Sequence, residues 1–330
     1  MTHSKITNKT ILVTGGVGSI GSELVKKILE FNPKQLRVFD NNEFKLFEAM
    51  QHYKDKKNLR FFLGDVRDKD RVTWAMTGVG TVFHTAALKH VALNEYSPFE
   101  SVKTNVIGTQ NLLEAALAHQ IATFINISTD KTANPTSTMG ASKLLAERLT
   151  VGADYYKGKL ETTFASVRFG NVLNSSGSVV PIFLEQIKTG GPVTVTDNHM
   201  VRYFMTIPDA VDLILKAAAV ARGGEIFILK MPALKIVDLA QVMIEVLAKK
   251  PIDIKVIGKR PGEKLFEKIV TRTEASLALE LKNMYVLPTK ETWEYYQKRG
   301  GRPVAEEGIA PKEFLTKPQI KQLLIKAQII

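Results

Sequence analysis

The sequence predicts an α/β fold built on a doubly wound, parallel sheet, and three observations carry that prediction. Short β-rich apolar runs alternate with amphipathic helical segments through the first half of the chain. Those runs lack the apolar–polar alternation of a half-solvated strand, as expected for strands covered by helices on both faces. A glycine-rich turn joins the first run to the first helical segment, the place where such sheets bind anionic ligands.

The first strand is KTILVTGG (9–16), and SIGSELVKKILEF after it repeats apolar residues at helical spacing. QLRVFD (35–40), NLRFFLGD (58–65), GTVFHTAA (80–87) and ATFINIST (122–129) supply four more strands, with helices such as NEFKLFEAMQHY and SVKTNVIGTQNLLEAALAHQ between them. TTFASVRFG (162–170) continues the sheet. Beyond residue 170 the regularity weakens: NVLNSSGSVVPIF reads as a loop, GGPVTVTD as a short strand and IPDAVDLILKAAAVA as an amphipathic helix. GEIFILK, the helix IVDLAQVMIEVLAKK, the strand PIDIKVIG and the loop KRPGEK follow. Two units are expected. Residues 1–170 form the sheet domain, and 171–330 form mainly a smaller, interleaved mixed α/β domain, with 206–230 returning to the larger part.

With 330 residues and 45% hydrophobic content, the chain can bury a large core. It has no cysteine, which excludes disulfides and thiolate metal sites, and its six histidines show no paired ligand spacing, so no metal is expected. No apolar run approaches the ~18 residues of a membrane span, and the N-terminus enters a strand without a signal segment. A cytoplasmic protein without membrane attachment is expected. The net charge is +12, and residues 230–330 carry 19 Lys or Arg against 12 Asp or Glu. Such an excess attracts nucleic acid, anionic membranes and phosphorylated ligands alike. Here it is dispersed and not gathered into a basic arm with interleaved aromatics, which favours a diphosphate-bearing ligand and no nucleic acid.

In TGGVGSIGSEL, Gly16, Gly18 and Gly21 satisfy G-x-G-x-x-G, while Gly15, Gly18 and Gly21 recur at intervals of three. Glycine permits the tight turn and lets backbone amides approach a pyrophosphate, and Ser19 and Ile20 open the helix whose N-terminus faces the phosphates. Asp40 ends the second strand, 19 residues after Gly21, where a Rossmann fold binds the adenosine ribose 2′-hydroxyl. The acid is followed by Asn41 and Asn42 and not by arginine; it would repel a 2′-phosphate, so NAD is favoured over NADP. Asp65 and Val66 in GDVRD follow the third strand, where a side chain can meet the adenine; an ordinary loop acid would look the same. Ala86 and Ala87 end the fourth strand, where small residues let the chain pass the cofactor.

Together, TGGVGSIGSEL, GDVRD, VFHTAALKHV, NVIGTQN, STDKTANPTSTMGASK, RFGNVLNSSGSVVPIF and RPGEK resemble the extended short-chain dehydrogenase/reductase superfamily. Over residues 8 to 270 they are similar to its 4,6-dehydratases acting on UDP-N-acetylglucosamine, the polysaccharide-biosynthesis branch. Many members of the superfamily carry tyrosine four residues before the lysine, but here Met139 precedes Lys143. A thioether cannot donate or accept a proton.

The resemblance implies a lyase in which C4 of the sugar is oxidised, the 4-keto group acidifies the C5 proton, water leaves across C5 and C6, and the reducing equivalent returns at C6. Two proton-transfer groups with pKa values moved apart are then needed near C5 and C6. By resemblance Asp130 is the acid at C6 and Lys131 the base at C5. Thr129 hydrogen-bonds the C4 oxygen, Lys143 binds the nicotinamide ribose, and Met139 packs beside the nicotinamide or sugar. A lysine acts as base only if its pKa falls from about 10.4 toward about 7 to 8, and Lys143 is the expected cationic neighbour. Either Asp130 or Thr129 takes the C4 hydroxyl proton.

Lys89 in LKHV suits a phosphate or sugar oxygen, though a surface lysine reads the same way. The resemblance puts Asn171 on the diphosphate, Val179 of VVPIF against the uracil and Glu263 on the uridine ribose. Arg202 in MVRYFM and Arg260 in RPGEK suit bidentate phosphate binding, with surface ion pairs as the alternative. A 4-epimerase or oxidoreductase on the same scaffold would keep the tyrosine, and an NAD-binding regulatory protein would have no use for the Asp130–Lys131 pair. The NPTSTMGASK context points to retention at C5. Long helices at 98–119 and 139–157 suit the helix-paired dimers of the superfamily, so a homo-oligomer that binds a UDP-sugar is expected.

Overall fold

The computed structural model describes residues 5–304 and 314–330. Strands β1 (Thr10–Thr14), β2 (Gln35–Asp40), β3 (Leu59–Leu63), β4 (Thr81–His84), β5 (Thr123–Thr129) and β6 (Thr163–Phe169) follow the runs expected from the sequence. They are joined by β7 (Asn171–Val172), β8 (Val193–Val195), β9 (Val201–Met205), β10 (Glu225–Leu229), β11 (Ala233–Lys235), β12 (Ile254–Val256), β13 (Leu279–Glu280), β14 (Met284–Leu287) and β15 (Arg302–Pro303). Among the described residues, ten strands form one sheet in the order β15-β13-β14-β10-β6-β5-β4-β1-β2-β3. Strands β1 to β6 pair in parallel, β10 adds in parallel to β6, and β14 adds antiparallel to β10.

Successive residues of a strand point to opposite faces, and here both faces are covered. Ile11 and Val13 of β1 enter one apolar cluster, while Leu12 between them enters another. The first cluster includes Leu24, Val25 and Ile28 of helix Ser19–Leu29 and Val211, Ile214 and Ala218 of helix Ile207–Val220. The second includes Val72 and Met76 of helix Lys69–Met76 and Leu112 and Ala116 of helix Gly108–Ala118. That two-sided burial is why the strands read as continuous apolar runs. A third cluster holds Val193, Val195, Phe204, Leu239 and Met243, around strands β8 and β9 and helix Ile236–Leu247.

The sequence reading changes in two places. VVPIF begins a helix, Val179–Lys188, where a loop was expected. Pro181 suggested a break, but it stands in the first turn, where its missing N–H has no intrahelical partner to lose. The stretch expected as one helix from 98 is split by a π-helical segment, Val102–Ile107. Within it, the Asn105 side chain accepts from Leu88 N at 2.8 Å and donates to Leu88 O at 3.0 Å and Ser142 Oγ at 2.9 Å. A widened turn that aims one side chain at such a task is a common use of this geometry.

The strand order reverses between β1 and β4, so the chain leaves the sheet in opposite directions on either side of that gap and opens a crevice at its carboxyl edge. Phe124, near the start of β5, is fully buried, with its ring 5.8 Å from Phe164 and 6.2 Å from His84. Phe124→Ala is expected to lower unfolding stability by about 3–5 kcal/mol. Leu277→Ala, at a residue 59% exposed, should stay within about 0.5 kcal/mol of the parent. Urea midpoints at constant slope measure both.

Candidate active site

The crevice encloses about 920 Å³, near the upper end of the ~300–1,000 Å³ usual for small-molecule sites. On its sheet side lie the glycine turn and the ends of β2, β4 and β5; on the other lie residues 170–179 and 260–267.

The glycine turn packs too closely for side chains at two positions. Gly15 has φ +67°, and a Cβ added there would stand 2.6 Å from Ala86 N. A Cβ on Gly21 would stand 2.1 Å from Gly15 O. Gly18 differs, because an added Cβ would meet only Gly15 O, at 3.1 Å, and would otherwise fill open cleft. Gly18 is the N-cap of helix Ser19–Leu29 and offers no side-chain cap, so the amides of the helix start face the cleft available to an anion. Ser19, Ile20 and Ala87 line the same space.

Asp40 accepts hydrogen bonds from Val17 N at 3.2 Å and Asn42 N at 3.0 Å, which fixes its carboxylate at the end of β2. Asp65 lies beside it in the cleft. Burial works against the Asp65 charge, but hydrogen bonds from Arg67 and Asn41 outweigh it and hold the carboxyl below its usual range. Val66 also lines the cleft and packs so close to Gly108 that a Cβ there would lie 2.6 Å from it. A glycine cradle, an uncapped helix start and an anchored acid at the end of β2 fit a dinucleotide.

At the end of β5 the backbone enters a tight turn, Asp130–Thr132. Thr129 Oγ1 and Lys131 Nζ both donate to Asp130 Oδ1, each at 2.9 Å, and Lys131 Nζ also reaches Asn171 Oδ1 at 3.3 Å. Thr129, Lys131 and Asn171 line the cleft. Asp130 does not; it is fully buried behind them, and its Oδ2 has no hydrogen-bond partner. The sequence reading had it touch the sugar directly. In the structure the Thr129 hydroxyl and the Lys131 amine stand between Asp130 and the cleft.

Ser137 caps helix Thr138–Tyr156, which carries Met139 and Lys143 into the cleft wall. Lys143 donates to Ile127 O, and burial lowers its pKa to about 8 despite the opposing Glu147 carboxylate. Glu147 and His84 are its electrostatic neighbours. Burial, with Lys143, pushes the His84 pKa to about 3. His84 is thus a neutral link, 2.8 Å from Thr14 Oγ1 and 3.0 Å from Thr109 Oγ1.

Lys89, Val179, Arg260 and Glu263 line the cleft, and the Glu263 carboxylate accepts from Arg260 N at 3.0 Å. Arg202 also reaches it, but its Nη1 donates to Val201 O and Leu265 O and its Nη2 to Lys264 O at 2.7 Å. The fork expected to clasp phosphate here holds the 264–265 backbone. Sequence reasoning missed Ser176, whose N–H donates to Ser19 Oγ at 3.1 Å across the cleft mouth. It also missed Lys264, which donates to Ala133 O at 3.3 Å and to Asn134 O, although RPGEK contained it. Among the described residues no group of three His, Asp or Glu side chains could hold a metal ion, and no helix is long and apolar enough to cross a membrane.

Comparison with known proteins matches residues 11–289 to the family described as polysaccharide biosynthesis protein. A Methanocaldococcus jannaschii protein named as an uncharacterized membrane protein is 58% identical over 85% of this chain and 86% of its own length. A UDP-N-acetylglucosamine 4,6-dehydratase (inverting) of Campylobacter jejuni is 40% identical over 84% of this chain and 82% of its own. A UDP-glucose 4-epimerase of Rickettsia rickettsii is 39% identical over 85% and 83%. The X-ray structure of Pen from Bacillus thuringiensis is 40% identical, with a TM-score of 0.92 over 98% of this chain and 99% of that one.

The two kinds of glycine should separate in experiment. Gly18→Ala is expected to lower the melting temperature by only a few degrees, since φ −75° suits alanine and exchanging glycine for alanine at an N-cap costs about 1 kcal/mol or less. It should weaken NAD binding by about tenfold or more, about 1.4 kcal/mol. Gly21→Ala should lower both stability and binding. Calorimetric titration with NAD, beside thermal melting, reads the difference.

Proposed function

The chain belongs to the polysaccharide biosynthesis protein family, and from that premise we propose that it is an NAD-dependent lyase that removes water from UDP-N-acetylglucosamine across C5 and C6. The observation that carries this reading is the pair Thr129 and Lys131 at the end of β5, which line the same cleft as the dinucleotide cradle and both bond the Asp130 carboxylate buried behind them. The Campylobacter jejuni relative named as a UDP-N-acetylglucosamine 4,6-dehydratase supports the substrate class. Of residues 171–330, the segments outside the large sheet and its helices are read as the substrate-holding part.

NAD, when bound, supplies reversible removal and return of a hydride at the sugar carbons. The residues do the remaining work. Gly15, Gly18, Gly21 and the start of helix Ser19–Leu29 hold the pyrophosphate, Asp40 the adenosine ribose and Lys143 the nicotinamide ribose. Met139 is an apolar wall that excludes water and moves no proton. Lys131, the cleft-lining partner of the pair, removes the C5 proton once C4 is a ketone. Asp130 takes up the C4 hydroxyl proton through the Thr129 hydroxyl hydrogen-bonded to it and gives a proton by the same route to the departing C6 oxygen. Lys89, Asn171 and Arg260 face the diphosphate, Val179 the uracil and Glu263 the uridine ribose.

A single amine that takes the C5 proton and later returns it acts on one face of the sugar, which favours retention at C5. The Campylobacter jejuni relative carries the name inverting, an outcome that needs a second proton source on the opposite face. The Rickettsia rickettsii relative's name favours 4-epimerisation as the second reading. Epimerisation requires oxidation and reduction at C4 but no proton transfer at C5, so it would leave Lys131 without a task.

Incubation with UDP-N-acetylglucosamine in deuterated water, analysed by mass spectrometry and NMR, distinguishes these readings. Loss of one water, a 4-keto-6-deoxy sugar of unchanged C5 configuration and deuterium at C5 are expected. An unaltered sugar or a C4 epimer would end the dehydratase reading. Lys131→Ala should bind NAD normally yet lose water elimination; full turnover by that variant would move the base elsewhere.

Tyr96 and Phe99 are 89% and 79% exposed, and Leu145 on the neighbouring helix is 49% exposed. Exposed apolar groups gathered on paired helices suit self-association, so a homo-oligomer through this face is part of the proposal. Sedimentation of Tyr96→Glu should then give a smaller species than the parent.

A further inference from the structure

Arg168 is the bulkiest of the fully buried side chains. It stands in β6, a strand buried along its whole length, where an unmatched charge would be strongly destabilising. Its Nη2 and Nε donate to the fully buried Glu147, its Nη1 and Nη2 to Glu274 at 3.0 and 2.9 Å, and Nη1 also to Ile269 O at 3.0 Å. Burial opposes the charge, yet the two carboxylates hold the guanidinium pKa above the ordinary arginine range.

Both carboxylates make contacts beyond the arginine. Glu147 Oε2 accepts from Ser128 Oγ at 2.7 Å and Thr132 Oγ1 at 3.5 Å, the residues on either side of the turn that carries Thr129, Asp130 and Lys131. Glu274 accepts from Thr271 N at 2.9 Å and closes the capping box of helix Arg272–Ala275. That helix follows the cleft-lining segment 260–267 almost directly. The same segment grips the far side of the turn, through Lys264 on Ala133 O and Asn134 O and through Thr136 Oγ1, which donates to Gly262 O at 2.8 Å.

We propose that Glu147, Arg168 and Glu274 are positioning residues that tie the sugar-nucleotide side of the cleft to the Asp130–Lys131 turn. Movement of the 260–275 segment is thereby transmitted to the proton-transfer groups. Stability alone does not account for the triad, because well-packed apolar groups of similar volume commonly serve a buried site as well or better. The planar fork of Arg168 supplies fixed direction, which an apolar core would not. A small displacement of proton-transfer groups is enough to lower a rate by about a hundredfold. The catalytic half of this inference rests on the dehydratase reading; the mechanical half does not.

Two variants and two readouts test it. Glu274→Gln changes the rim of the triad, where the side chain is 13% exposed, and keeps an oxygen for Thr271 N. Arg168→Lys keeps the charge and removes the fork. Amide hydrogen exchange is expected to quicken at residues 129–137 in both variants by about tenfold, with strand 35–40 unchanged. The kcat for water loss should fall by about 10- to 100-fold in both while KM for UDP-N-acetylglucosamine moves little. A lower melting temperature with parental kcat and parental exchange at 129–137 would make the triad structural only and overturn the proposal. Should Arg168→Lys fail to fold, Glu274→Gln decides. Should the parent protein leave UDP-N-acetylglucosamine unchanged, the activity reading fails, while the exchange measurement still judges the coupling.

Discussion

The cleft depends on how closely the turn after β1 lies against the end of β4. No Cβ fits between Gly15 and Ala86, and none fits between Gly21 and Gly15 O. Thr85 Oγ1 adds a hydrogen bond to Thr14 O at 2.7 Å, and His84 bonds Thr14 from the buried side. With the two backbones locked, the N-terminus of helix Ser19–Leu29 points along the crevice at the strand-order reversal. Its amides there are left without a side-chain cap. Asp40 is then anchored by Val17 N from the same turn. Dinucleotide recognition follows from a close backbone approach more than from any single side chain.

From that edge the structure builds outward through polar contacts that cross between segments far apart in sequence. Ser19 meets Ser176, Lys264 meets Ala133 and Asn134, and Arg202 holds the carbonyls of Lys264 and Leu265. Each contact joins the sheet side of the cleft to the segments that cover it, or braces those segments. The proposed catalytic turn therefore sits inside a frame anchored at both ends.

Much of this was legible in sequence. Strands β1 to β6 were readable because burial on both faces leaves long apolar runs, and the glycine spacing and Asp40 were readable because their geometry is local. What could not be read depends on distant partners. Arg202 looks like a phosphate clamp until Lys264 and Leu265, 62 and 63 residues away, are seen to occupy it. The π-helical segment follows from the pairing of Asn105 with Leu88, 17 residues earlier. Asp130 and Lys131 do meet, at 2.9 Å, but the depth of Asp130 behind the cleft surface depends on how Gly170 and Tyr203 pack: a Cβ on Gly170 would lie 2.8 Å from Tyr203 Cβ and 3.3 Å from Asp130 Oδ2. Arg168 was visible in TTFASVRFG as a charge in an otherwise apolar run, an anomaly whose partners only the fold reveals.

The depth of Asp130 bears on the chemistry proposed for the cleft. Asp130 and Lys131 share one contact of 2.9 Å, and a proton shifted along it converts an ion pair into a neutral amine beside a carboxylic acid. That neutral form, also reached when Asp130 takes up the C4 proton beside an uncharged Lys131, has the two reagents that elimination across C5 and C6 needs, a base lining the cleft and an acid with a hydroxyl route to it. Removal of the C5 proton by the amine and donation of a proton by the acid together regenerate the ion pair, so the elimination itself leaves the net charge of the cluster unchanged. In a buried site a step that alters net charge is costly, whereas a step that exchanges the two forms is not. A phenol in place of Met139 would add a further titrating group to the same cleft, while the thioether adds none and leaves proton transfer in the elimination to Asp130 and Lys131.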